Sequence, residues 1–481
     1  MTSGRRTLVW FRGKDLRLSD HAPLTDALQD GELIPLFVLD PYFFAPARAR
    51  ELPHRMQFLL ESLEALRSNI AHLGSELLLA AGKSVDVVPR LAERFRVTRV
   101  VAQRWSEPFG RERDRRITAA LRVPFELFGG ETLAAPETVR NGSGQPFSVF
   151  TPFARALRRD LPEVRVLPAP KRLPPLPPDV RFESAPMPTL SSLGIEANPK
   201  LQGGGERAAR QRLKEFVAAA AEHYDARRDR MDLPGTSRLS ADLKFGTLCV
   251  RTVWSAVSAL QAEAPAAITT YTNELLWREF THATLWDRPH LLERPFREDF
   301  EGFPWGFDEE GWHAWITGKT GYPVVDAAAR QLMAEGFVHN RARMIAASFL
   351  TKHQLIHYRH GEAHYLKYLT DGDWAQNNAG WQWSAGCGTD AQPYFRVFNP
   401  TLQGEKFDPN GDYVRRWVPE LAALPAKLIH RPHEAPAKAL ASAGVELGKT
   451  YPTPIVEHAL ARDRFLKVAD SYLKAQPARP R

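Results

Sequence analysis

The sequence predicts an α/β N-terminal domain, a doubly wound parallel sheet, joined by a long linker to an all-α C-terminal domain. Three observations predict it. Short apolar runs alternate with helical periodicity at the start of the chain, a proline-rich stretch follows, and strand signals nearly vanish after Glu206. At 481 residues the chain also exceeds what one hydrophobic core usually serves. The expected divisions are residues 1–130 for the α/β domain, 131–205 for the linker and 206–481 for the helical domain.

TLVWF (7–11), LIPLFVLD (33–40), SELLLAA (75–81) and TRVVAQRW (98–105) read as buried strands, with PFELFGG (124–130) as a shorter fifth. Between them, residues 56–74 and 84–95 carry helical periodicity, and such alternation predicts parallel strands with helices on both faces. No G-x-G-x-x-G follows the first strand, and Gly203 to Gly205 opens a helix instead, so a nicotinamide-type dinucleotide site is not supported. From Asp160 to Pro199 prolines remove donors and break both regular structures, which predicts a connector draped over a surface.

Composition narrows the function classes. The chain is 43% hydrophobic and 25% charged, an ordinary soluble profile. Its net charge of +8 is compatible with a polyanionic partner, and equally with a basic surface that aids solubility. Cys249 and Cys387 lie far apart, with neither metal-ligand spacing nor a disulfide framework, as expected for a reducing, cytoplasmic setting. No apolar run predicts secretion or a membrane span, and no metal site is expected.

Residues Asp371 to Pro400 concentrate acids, paired amides, glycines and tryptophans. In a helical DWAQNNAGW, Asp373, Asn377 and Trp381 share one face. An acid, an amide and an indole there suit a planar, redox-active ligand, while an aromatic-rich core is the plainer account. In YTNELLWREF (271–280) Glu274, Trp277 and Arg278 fall at i, i+3, i+4. In GFVHNRARMIAASFLTKH (336–353) Asn340, Arg343 and Met344 repeat that spacing, and the hydroxyl-rich loop LPGTSRLSADLKFGTL (233–248) lies upstream of both. With VWFRGKDLRLSDHAPL (9–24) and PYFRVFNPTLQGEKFDPNGDYVRRWVPEL (393–421), the chain resembles the DNA photolyase and cryptochrome family, most closely the bacterial cyclobutane pyrimidine dimer photolyases.

That resemblance implies that the helical domain binds FAD, whose reduced form would be active. Tyr224, Thr236, Ser237, Arg238, Leu239, Ser240, Arg278, Asn340, Arg343, Asp371, Asp373 and Asn377 match cofactor-binding positions, with Asn377 facing flavin N5. A neutral amide can switch between donor and acceptor as N5 gains or loses a proton. Glu274, Trp277, Asn340, Met344 and Trp383 match positions that contact a flipped-out dimer, and Arg341, Arg396 and Lys406 are candidate phosphate contacts. Trp381 and Trp305 match the proximal and distal members of the family's electron relay; its middle position is Tyr358, a departure from tryptophan, and Trp374 offers another branch. A second, antenna chromophore of folate or deazaflavin type is possible, with Arg104 to Arg116 as the lining segment and Glu107 as a pterin-contacting acid. Ser106 replaces an amide of some folate binders, and the FRGKD turn has one residue more than the usual spacing between Arg12 and Asp15. The implied activity is light-driven repair of cyclobutane dimers by a monomer whose partner is damaged DNA, with a cryptochrome-like photoreceptor as the alternative.

Overall fold

Five parallel strands, β1 (Arg5–Phe11), β2 (Gly31–Leu39), β3 (Leu78–Ala81), β4 (Arg99–Gln103) and β5 (Phe125–Phe128), form one sheet in the order β3-β2-β1-β4-β5. The computed structural model describes residues 4–180 and 182–475. β1 is central and pairs Arg5 to Phe11 with Gly31 to Phe37 of β2, and Thr7 to Val9 with Arg99 to Val101 of β4. Both of its faces are buried: Val9 and Phe11 join one apolar cluster, Leu8 and Trp10 the other. This is why the strand reads as a continuous apolar run rather than an alternating one. Pro35 is tolerated inside β2 because β3 joins only from Leu36 onward, leaving that edge open.

The chain divides into two compact units that do not follow chain order. Unit 1 comprises the chain up to Asp225 together with Ser237–Pro289 and Thr370–Ala375; unit 2 comprises Ala226–Thr236, His290–Leu369 and the chain from Gln376 onward. Unit 1 holds the sheet, its flanking helices Pro53–His72, Ser84–Arg94 and Pro108–Ala120, and the long Pro265–Asp287 helix. Unit 2 is helical around a core that includes Trp315, Tyr365 and Trp381.

The proline-rich segment lies along unit 1. Leu173 N–H donates to the Leu73 carbonyl at 2.9 Å and Ala185 N–H to the Leu79 carbonyl at 2.8 Å. The second of these bonds, with Ser184 Oγ accepting from Leu79 N at 2.7 Å, covers the open edge of β3. A covered edge cannot template pairing with another chain. The stretch expected as linker also contains a helix, Phe150–Asp160, whose Phe150, Phe153, Ala154 and Leu157 are buried at i, i+3, i+4, i+7. Its Pro152 falls in the first turn, where a missing N–H leaves no helical bond unmade.

Candidate functional site

In unit 1, Lys14 of the FRGKD turn is buried among carboxylates. Its Nζ lies 2.9 Å from Glu107 Oε1 and 3.2 Å from Asp373 Oδ2, and it also donates to Glu131 Oε1. Burial opposes the ammonium charge, but the three carboxylates outweigh it and hold the Lys14 pKa above its ordinary value. Conversely, burial works against the Asp373 carboxylate, and Lys14 together with His282 pulls its pKa well down. Glu131 Oε2 accepts from Ser106 N at 2.6 Å, and Ser106 Oγ contacts His282 Nδ1 at 2.7 Å. Burial pushes His282 down to about 4, so it is neutral near pH 7. Glu131, His282 and Asp373 present ligand atoms within 4.8 Å of one another, yet the Lys14 ammonium already sits against both carboxylates and meets their demand for a cation. The turn is fixed from outside by Gly246 (φ 61°), where a Cβ would lie 1.9 Å from the Lys14 carbonyl oxygen.

Asp373, expected on the cofactor, is therefore committed to Lys14, and its Oδ1 also accepts from Ala375 N at 3.0 Å at the start of the Trp374–Ala385 helix. Asp371 occupies the turn just before it. Arg278 donates to the Glu131 carbonyl at 2.7 Å. Glu107, expected as a pterin contact, lines a cavity with Arg12, Arg113, Trp105, Lys244 and Trp374. Arg12 is anchored through NH1 to both oxygens of Asp114, at 2.7 and 2.8 Å, while its Nε and NH2 and the Trp105 Nε1 are buried without a hydrogen-bond partner among the described residues. Arg113 lies over the Trp10 and Trp105 rings at 4.9 and 4.4 Å. Buried donors among aromatic faces suit a planar ligand with polar or anionic edges.

The Pro265–Asp287 helix presents Glu274, Trp277 and Arg278, each half-buried, along one face. Phe150 stacks on Trp277 with ring centres 3.8 Å apart and planes 6° apart. Sequence reasoning missed Phe150, because it lies in the presumed linker and no local pattern ties it to Trp277. One turn earlier, the Tyr271 hydroxyl donates to Ser237 Oγ at 3.0 Å, and the Tyr271 ring meets the buried Tyr224 edge-on at 5.0 Å. Arg238 has φ 54°, and Leu239 follows at φ −89°, ψ 2° before the Ser240–Phe245 helix. A left-handed residue followed by a right-handed one turns successive N–H groups toward one point, an anion-binding concavity suited to a diphosphate. The donor set therefore fits a dinucleotide such as FAD.

In unit 2, Thr236 is half-buried beside Gly235, where a Cβ would lie 2.7 Å from the Arg227 carbonyl oxygen. Asn377 donates from Nδ2 to the Glu362 carbonyl at 2.9 Å, and Asn378 Nδ2 donates to Glu362 Oε1 at 2.9 Å. Trp381, one turn on, packs so closely on Gly361 that a Cβ there would lie 2.1 Å from its ring. Trp383 on the same helix is half-buried. Asn340 opens the Asn340–Ser348 helix, capped by His339, and contacts Met344 Sδ through Nδ2 at 3.9 Å. Arg343 Nε donates to the Val338 carbonyl at 2.7 Å. Arg341 is bound to Asp229 at 2.8 Å and lies over Phe407 at 4.4 Å, whereas Arg396 is exposed and its carbonyl accepts from the buried Lys352 Nζ at 2.9 Å. Lys406 is exposed beside Phe407. Tyr358 is buried with the His357 ring at 4.7 Å, and Trp305 is half-buried between Phe303 and His357. No helix among the described residues is long and apolar enough to cross a membrane.

The comparisons agree with this geometry. Residues 7–175 match a family model described as DNA photolyase, and residues 271–471 one described as the FAD binding domain of DNA photolyase. A deoxyribodipyrimidine photo-lyase of Agrobacterium fabrum is 41% identical over 95% of this chain and 96% of its own length. Among solved structures, a bacterial class III photolyase from Agrobacterium tumefaciens superposes with a TM-score of 0.92 at 39% identity, over 99% of both chains. A Synechocystis cryptochrome superposes with 0.88 at 29% identity, over 96% of this chain and 99% of that one. The chain belongs to the DNA photolyase family and carries its FAD-binding domain.

Proposed function

We propose that this protein is a light-driven lyase that repairs cyclobutane pyrimidine dimers in DNA. The observation that carries the reading is Trp277, backed by Phe150 at 3.8 Å, with Glu274 one turn away on the same helix. A ring braced from behind is a rigid flat wall, which is what a base swung out of a duplex needs to stack on. Glu274 offers a polar edge for a pyrimidine carbonyl or imide. Within unit 2, Asn340 and Met344, one turn apart, carry an amide and a soft, polarizable side chain of the kind that adapts to an irregular lesion. Unit 2 also carries the flat face of Trp383, and its exposed Arg396 would be a phosphate contact.

Bound FAD, reduced and photoexcited, would supply one electron to the dimer and recover it once the ring has opened. The chain's own residues would hold and orient the cofactor. The Ser237–Ser240 turn would receive the diphosphate, and Asn377 would face N5 with its amide steadied on the Glu362 carbonyl. The cavity beside Arg12, Trp105 and Lys244 would take a second chromophore, folate or deazaflavin.

Likeness to a cryptochrome keeps a second reading, a blue-light photoreceptor. Asparagine at 377 favours repair, since photolyases of the type this chain resembles hold asparagine there and plant cryptochromes hold aspartate. The deciding experiment is loss of thymine dimers from an irradiated oligonucleotide under blue light, run beside an absorption spectrum of the purified protein. Light-dependent loss supports repair; a flavin-loaded protein that leaves the dimers intact overturns it in favour of the photoreceptor. The spectrum also reveals any antenna.

A further inference from the structure

In unit 2, residues 386–399 contain neither helix nor strand. A segment with no ladder of its own takes its shape from bonds to its surroundings. Arg396 N–H donates to the Pro393 carbonyl at 3.0 Å and closes a tight turn with Tyr394 and Phe395 at its centre. Tyr394 is half-buried and packs on the helical core, while Arg396 is exposed. The turn is held from two sides. Lys352 Nζ donates to the Arg396 carbonyl at 2.9 Å, and the Tyr394 hydroxyl donates to Asp470 Oδ1 at 2.8 Å.

Both holds lead back to one element, the His458–Ala475 helix. Asp470 lies on it, and Arg464 of the same helix donates to the carbonyl of His353, next to Lys352, at 2.5 Å. Phe465 and Ala469 of this helix are fully buried, and its Tyr472 hydroxyl donates to the Glu301 carbonyl at 2.5 Å, so it is a firm anchor. A half-buried phenol could satisfy its hydroxyl with water. A carboxylate acceptor instead makes the bond stronger than a neutral one. An arginine on a free segment gives up backbone and side-chain freedom when it meets a phosphate. On a braced turn, part of that ordering is complete before binding.

We propose that Tyr394, held by Asp470, is a positioning residue that fixes the 393–396 turn, so that Arg396 meets the backbone of dimer-containing DNA already in place. The proposal rests on the repair reading and on the phosphate contact given above to Arg396. Tyr394 and Asp470 act through Arg396 and need not touch DNA themselves. That sets them apart from residues that only keep the domain folded, which would weaken binding whether or not Arg396 is present.

The test is a double-mutant cycle on the binding of flavin-loaded protein to a thymine-dimer oligonucleotide, read by fluorescence anisotropy at fixed salt. Tyr394→Phe keeps the ring and removes the bond. It is expected to raise Kd about two- to tenfold, the scale of immobilising one rotamer-rich side chain on binding. In an Arg396→Ala background the same substitution is expected to change nothing further. Asp470→Asn and Asp470→Ala carry the same charge, but only asparagine keeps an acceptor oxygen, so Asp470→Asn should bind more tightly. Wild-type affinity in Tyr394→Phe overturns the proposal, and so does an equal loss in both backgrounds. If melting temperature and flavin absorbance show that Tyr394→Phe fails to fold, the two Asp470 variants decide, and equal Kd values between them overturn the proposal. If Arg396→Ala alone leaves both Kd and its salt slope unchanged, the phosphate contact falls and the brace falls with it. A wild-type protein that binds dimer-containing and undamaged oligonucleotides alike sinks the repair reading itself.

Discussion

Replacing Glu362 by glutamine should stabilise the protein above neutral pH and leave its stability unchanged in acid. Glu362 is buried, with its Oε1 accepting from Asn378 Nδ2 at 2.9 Å. Burial lifts its pKa from 4.5 to about 7, against smaller opposing effects of Asn378 and Arg359. At about 1.4 kcal/mol per pH unit, that gap corresponds to about 3 kcal/mol as an upper figure. The folded state binds the proton more tightly than the unfolded chain. The penalty is therefore absent below 4.5, grows as pH rises, and is complete above about 7. Glutamine keeps the shape and the carbonyl that Asn378 needs, and carries no charge at any pH. Denaturant titrations of wild type and Glu362→Gln, below 4.5 and well above 7, should give superimposable curves in acid and a gain of up to about 3 kcal/mol in base. An identical difference at both pH values would refute the argument that burial of the carboxylate controls this proton.

Gly361→Ala places a methyl 2.1 Å from the Trp381 ring and 2.7 Å from Leu350 Cδ2, so it should lose about 1–3 kcal/mol by overpacking; an unchanged melting temperature would mean the two helices separate freely. Lys14→Met strands three buried carboxylates and should cost about 3–5 kcal/mol at neutral pH in a denaturant titration. Since Asp373 and Glu131 have depressed pKa values, the wild-type advantage is present at neutral pH and fades as acid protonates them, so a pH-independent deficit would contradict the assignment. Arg396→Ala should lower the slope of log affinity against log salt for dimer-containing DNA by about one, and an unchanged slope would remove Arg396 from the phosphate contacts.

The sheet was legible because its physics is local. A strand buried on both faces reads as a continuous apolar run, and Leu8–Phe11 of β1, Leu33–Leu39 of β2 and Val100–Ala102 of β4 do. Ends were less legible: the run 75–81 yields a strand only from Leu78, since pairing with β2 begins there. Helix faces also came through, and Glu274, Trp277 and Arg278 share one as their spacing predicts. What the chain order hid are contacts between distant segments. Lys14 meets partners at 107, 131 and 373, and Phe150 meets Trp277, with no periodicity linking them. Arg341 looked free to clamp a phosphate because nothing local announces Asp229, which binds it at 2.8 Å. The Trp315–Trp381 contact was hidden for the same reason, because the two rings sit on separate helices.

The burial of Lys14 also constrains how this lineage can change. Its ammonium is tethered two positions beyond Arg12, and Gly246 leaves no slack behind the turn. Shortening the turn by one residue would withdraw the cation while the three acids stayed in place, and neutralising the acids first would abandon a buried ammonium. Neither route passes through a stable intermediate, so turn length and acid identity at 107, 131 and 373 should be inherited or lost together, as one heritable block.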